Sequence, residues 1–100
     1  MGFNASTLLS VRSVLSPTLV AGAISITFPE FSRIITAGAV IDGPIAAANA
    51  DAVFELIVTA VLNVVTINVH KMALSAVNTW GDAITADINL RRITVLAEGI

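Results

Sequence analysis

From Ala23 onward, apolar and polar residues alternate with a period of two, the mark of strands with one buried face. Ala23-Ile-Ser-Ile-Thr-Phe28 puts Ile24, Ile26 and Phe28 on one side, and Pro29 ends the run. Arg33 to Ile41 predicts a second strand, closed by the turn sequence Asp42-Gly43-Pro44. Val53 to Leu62 is apolar at both phases, as expected of a strand buried on two sides. Asn63 marks a turn; Val65, Ile67 and Val69 then resume the alternation, and Met72, Leu74 and Ala76 extend it. Asn78-Thr79-Trp80-Gly81-Asp82 reads as a loop. Ile84, Ala86, Ile88 and Leu90 alternate again. The phase slips by one residue at Arg91-Arg92 before Ile93 and Val95, which predicts a β-bulge that turns one arginine outward.

Two stretches also fit helical spacing. Pro44 to Ala52 carries a run of Ala behind a Pro at a first helical position, which predicts a short helix near 44–52. Phe3 to Leu15 sets Leu8, Val11 and Leu15 on one helical face. Elsewhere strands prevail, because a third of the chain is Val, Ile or Thr, whose branched Cβ favours the pleat. The expected fold is all-β: a six- to seven-stranded antiparallel β-sandwich, with a small barrel as the alternative closure.

The strand pattern begins only at Ala23, after Pro17 and Gly22. Residues 1–22 therefore read as an N-terminal arm, and residues 23–100 as the β-sandwich domain. Arg12 is the single charge of the arm, while Phe3, Leu8, Leu9, Val11, Val14 and Leu15 are too apolar to be left in water. These six are the candidate docking and oligomer contacts. Burying them could contribute on the order of 10 kcal/mol, at about 1.5–3 kcal/mol each. Ordering each residue costs about 1–2 kcal/mol in backbone entropy, so the arm requires a rigid partner surface.

Composition strengthens the expectation of assembly. Hydrophobic residues make up 56% of the 100-residue chain and charged residues 12%, about half the usual charged share. A domain of this size hides only about 60–65% of the surface its unfolded chain exposes. The apolar surplus calls for a partner, and further copies of the same chain are the simplest one. A net charge of −2 with 5 Lys+Arg argues against nucleic acid, which requires clustered cations. A membrane-spanning helix requires about 20 apolar residues. Leu56 to His70 is too short for that, and Ser13 to Pro29 is interrupted by Pro17 and Gly22, so no membrane span is expected. The absence of Cys removes disulfides and thiolate chemistry.

Candidate chemistry is sparse. His70 is the single histidine, on a predicted strand with Asn68 and Met72 on its face, and no nucleophile-elbow sequence accompanies it. One His without Cys gives no zinc set. Asp42, Asp51, Asp82 and Asp87 follow no calcium-loop spacing and suit turn caps. Arg91-Arg92 suits a solvated edge or an intersubunit ion pair. Trp80, beside Gly81 and Asp82, is the most site-like cluster: an aromatic platform with a carboxylate, or else a plug at the rim of the core. No catalytic residue, metal or cofactor is implied, and the chain is not expected to be an enzyme.

Taken in order, several segments resemble the H-type lectin fold, a six-stranded sandwich that assembles as trimers and has relatives among bacteriophage virion proteins. Ser25-Ile-Thr-Phe-Pro-Glu-Phe31 is similar to the opening strand of that family. Ala39-Val-Ile-Asp42 is similar to its apolar strand ending in Asp, and Thr79-Trp80 followed by Leu90 to Leu96 to its Thr-Trp pair and last strand. The resemblance covers residues 23 to 98. It departs where Arg92 replaces a Trp, where Gly81 replaces a polar sugar contact, and where Val53 to Leu62 lacks an Arg. What it implies is a structural virion protein, a capsid decoration or tail component, forming a homotrimer and docked on other virion proteins after assembly in the host cytoplasm. The alternative it implies is a lectin-like module that reads a host glycan through Trp80, Asp82 and Asp42.

Overall fold

The computed structural model describes residues 7–73 and 79–100. Among these residues, seven strands run in the order β1 (Leu8–Leu15), β2 (Ala23–Thr27), β3 (Ile34–Asp42), β4 (Ala52–Val61), β5 (Val64–Ala73), β6 (Gly81–Asp82) and β7 (Arg92–Gly99). They form two antiparallel sheets, β1-β7-β3 and β2-β5-β4, with β6 also paired to β5. The fold is the expected all-β sandwich. Its core lies between the inward residues of the two central strands: Val65, Ile67 and Val69 of β5 face Ile93, Val95 and Ala97 of β7, all fully buried. Phe28, Phe31, Ile34, Ala83 and Ile88 close the ends of this layer.

Alternation explains the inward faces, and turn chemistry explains the order of the strands. Val20 and Ala23 bond each other's backbone at 2.9 and 3.0 Å across Ala21 and Gly22, both with positive φ, which launches β2. A Cβ on Gly22 would come within 2.7 Å of the Asp82 Cβ, so this turn also sits tightly on β6. β4 and β5 form a ten-residue hairpin closed at Val61↔Val64. The carbonyls of its tip, Leu62 and Asn63, accept from the Ile34 and Phe28 amides at 2.7 and 2.8 Å. The hairpin tip thereby holds the connection between β2 and β3, where the Phe28 and Phe31 rings stack with centroids 5.9 Å apart.

Several expectations are corrected. The expected arm is, over Leu8–Leu15, the edge strand of a sheet: every residue from Leu8↔Gly99 to Leu15↔Arg92 pairs with β7. It is neither an arm nor a helix there, because β7 offers an open edge and four of these residues are β-branched or small enough to follow the pleat. The division at residue 22 therefore crosses a continuous sandwich. The helix expected near 44–52 is a single 3₁₀ turn, Ala47–Asn49. The alternating run Ile84 to Leu90 is not a strand: the Asp87 carboxylate accepts from the Ile84 amide at 2.9 Å and closes a 3₁₀ turn, Thr85–Ile88. No bulge occurs at Arg91-Arg92; Leu90 at φ 65 resets the phase, and the register irregularity lies in β3 between Ile34 and Thr36. β4 is buried on one face only, with Val53, Ile57 and Val61 of its other face in water. The expected extension through Leu74 and Ala76 lies outside the described residues.

Candidate functional site

The outer face of β1-β7-β3 carries Leu9, Val11, Leu15, Val40 and Leu96, half of the large exposed apolar side chains of the described strands. Alternation turns Leu9, Val11, Ser13 and Leu15 of β1 outward, beside Arg92, Thr94, Leu96 and Glu98 of β7. On the other flank β3 presents Thr36, Gly38, Val40 and Asp42. Leu9 is 64% exposed, Val40 60% and Leu96 46%, so these residues stand on the face rather than beneath it. Gly38 lies opposite Leu96 in the β3–β7 register, and a Cβ there would meet nothing within 4 Å. The missing side chain leaves a shallow depression of about 230 Å³, bounded by Leu9, Thr36, Leu96 and Glu98. Arg92 ends one side of this apolar strip and Glu98 the other. Arg92 reaches the Ser13 hydroxyl at 3.3 Å, and Glu98 accepts from the Thr7 hydroxyl at 2.7 Å.

Of the candidate docking residues, Leu8, Leu9, Val11 and Leu15 are exposed, Val14 points inward and is half-buried, and Phe3 lies outside the described residues. Sequence reasoning missed Gly38, Val40 and Leu96. Their signal was present: Ala37 to Ile41 is apolar at both phases, as Val53 to Leu62 largely is, and Leu96 falls on the phase of Arg92, Thr94 and Glu98.

The sugar-binding triplet is not brought together. Asp42 ends β3 opposite Arg92, whereas Asp82 pairs with His70 in the other sheet. Trp80 is 41% exposed and does not plug the core. His70 joins two carboxylates that sequence reasoning did not link to it. Its Nδ1 lies 3.4 Å from Glu55 Oε1 and its Nε2 3.8 Å from Asp82 Oδ1, a row fixed by the registers Glu55↔His70 and His70↔Asp82. Ser25 and Thr66, whose hydroxyls lie 3.0 Å apart, add polar groups to an outer surface that also exposes Val53, Ile57 and Val61. Among the described residues no cluster of His, Asp and Glu forms a metal set.

The remaining charges are structural. Lys71 donates to Asp87 Oδ1 at 2.9 Å and to Asn49 Oδ1 at 3.2 Å, which ties both 3₁₀ turns to β5. Burial acts to raise the Asp87 pKa, but hydrogen bonds from the Ile84 amide, Lys71 and Asn49 outweigh it, and the carboxyl sits below its ordinary value. Arg12 points inward from β1, lies 4.9 Å from the Phe28 ring centroid and donates to both Glu30 oxygens at 2.8 and 2.9 Å. A bond from the Ser10 hydroxyl, the Glu30 backbone and the Arg12 guanidinium together hold the Glu30 carboxyl below its ordinary value. Arg91, expected at a solvated edge, is instead buried over Phe54, 5.4 Å from the ring centroid, with no hydrogen bond to Nε. Arg92 takes the exposed position.

No protein-family model, curated protein or solved structure matches the chain. No helix among the described residues is long and apolar enough to cross a membrane.

Proposed function

We propose that this chain is a non-enzymatic structural protein that assembles with further copies of itself, as a capsid decoration or tail component of a virus particle. The observation that carries this reading is the apolar outer face of β1-β7-β3, with Leu9, Val11, Leu15, Val40 and Leu96 together on one exposed sheet surface. Isolated soluble domains seldom leave so much of one sheet face apolar, and such faces mark interaction sites. The low charged share of 12% points the same way. The setting in a virion rests on the resemblance to H-type-lectin-like sandwiches, which also implies a trimer. Sedimentation of the purified chain across the micromolar range tests self-assembly: mass that rises reversibly with concentration supports it, and a monomer throughout refutes it.

The glycan alternative is favoured by one observation, an exposed Trp80 two residues before Asp82. With Asp42 in the other sheet it retains two of its three residues. Saturable binding on a glycan array that disappears in Trp80→Ala would make it the preferred reading.

A further inference from the structure

The outward residues of β1, β7 and β3 form a surface that is complementary to itself when turned end for end. Arg92 and Glu98 occupy opposite ends of β7, and neither makes an ion pair among the described residues. The registers place Asp42 and Leu15 beside Arg92, and Thr36 and Leu9 beside Glu98. A half-turn about an in-plane axis perpendicular to the strands, through Val95, Arg12 and Ala39, exchanges these ends. It lays 92 over 98, 94 over 96, 40 over 38 and 15 over 9. Each hollow at Gly38 then receives a Val40, each Leu9 meets a Leu15, and each Arg92 meets a Glu98. Turning the second copy about an axis along the strands would set Arg92 on Arg92 and Glu98 on Glu98, which like-charge repulsion disfavours.

We propose that a second copy of this chain covers the outer face of β1-β7-β3 about that twofold axis, with Val40 of each copy seated over Gly38 of the other and Arg92 paired with Glu98 across the interface. The proposal rests on the self-assembly reading above, names its surface, and puts a twofold pair in place of the trimer that the resemblance implies. Other surfaces serve a second copy less well. The β1 edge carries the inward-pointing Arg12, paired to Glu30 at 2.8 Å, a device that blocks strand addition. The outer face of the other sheet also exposes Val53, Ile57 and Val61, but it sets Glu55, His70, Asp82, Ser25 and Thr66 among them, whose desolvation opposes burial.

The footprint sets the strength. Three strands about 4.8 Å apart and eight residues long, rising about 3.3 Å each, cover roughly 380 Å² per copy. The pair buries about 760 Å² on that basis, below the roughly 1,200 Å² at which standard interfaces begin. The isolated dimer is therefore weak and concentration-dependent, and a particle that repeats the contact gains strength by multivalency.

Gly38→Val separates folding from association. A Cβ at this position meets nothing within 4 Å in the folded chain and Val suits a strand, so the melting temperature holds or rises, while the filled hollow weakens the dimer by about tenfold or more. Arg92→Glu and Glu98→Arg singly weaken it to a similar degree, and the double exchange restores it. Sedimentation of the full chain and these four variants, with melting curves as the folding control, reads all of these effects. A dimer that responds in this pattern supports the proposal. An oligomer of any size that ignores both Gly38→Val and the charge exchange overturns the face and leaves self-assembly standing. A wild-type chain that stays monomeric overturns the self-assembly reading itself.

Discussion

Replacing Asp87 by Ala removes the acceptor at the centre of the polar cluster. Oδ2 accepts from the Ile84 amide at 2.9 Å; Oδ1 accepts from Lys71 at 2.9 Å and from Asn49 at 3.3 Å. A neutral hydrogen bond contributes about 0.5–1.5 kcal/mol net, and one to a charged group about 1.5–3 kcal/mol. The Lys71 side chain is 31% exposed and can turn to water, and the buried Asn49 amide keeps its 3.4 Å bond to the residue 87 carbonyl, so the lower ends of these ranges apply. The expected loss is about 2–3 kcal/mol, or about 10 °C or more in melting temperature for a domain of this size. Asp87→Asn keeps an acceptor and loses the charge, so about half of that loss is expected. The pH dependence has a definite sign. The Asp87 pKa is lower in the folded chain than in the unfolded one, so its contribution is complete at neutral pH. It fades as pH falls below the ordinary Asp range and through the lowered folded value. Glu30 contributes with the same sign, and it remains in the variant. Thermal unfolding followed by circular dichroism from neutral to acid pH should therefore show the wild type converging on Asp87→Asn as pH falls. A shift for Asp87→Ala within about 2 °C at neutral pH, or wild-type and Asn curves that fall in parallel, would refute the reasoning.

Deleting residues 2–15 is expected to abolish cooperative folding, because β7 loses an eight-residue partner and Glu30 loses Arg12. A truncated chain with a sharp unfolding transition would show that β1 is an accessory strand. Arg91→Met keeps the buried apolar stem and removes an Nε that has no hydrogen-bond partner, so stability should change by less than about 1 kcal/mol or rise. A loss above about 2 kcal/mol in urea unfolding would mean that the contact of the guanidinium with Phe54 outweighs its desolvation.

The sequence by itself determined what depends on neighbours along the chain. Alternation in Ala23–Thr27, Val64–Ala73 and Arg92–Gly99 identified the strands and most of their inward residues, because the side-chain period of two is a property of the extended backbone. Asp42-Gly43 and Asn63 marked turns for the same local reason. Tertiary structure decided whatever depended on a partner distant in sequence. Leu8–Leu15 carries weak local signals in both directions, and the open edge of β7 made it a strand. Ile84 to Leu90 alternates like a strand, but the Asp87 carboxylate offered its amides a nearer acceptor, with Lys71 and Asn49 to hold the charge. Whether Val53 to Leu62 was covered on both faces could not be read from its composition; burial is a property of what packs above a strand. The register of β3 against β7 placed Gly38 beside Leu96, and that of β5 against β4 and β6 placed His70 between Glu55 and Asp82. Both surfaces arise from pairing between separate strands. A sequence records which residues can alternate, and only the sheet decides which of them meet.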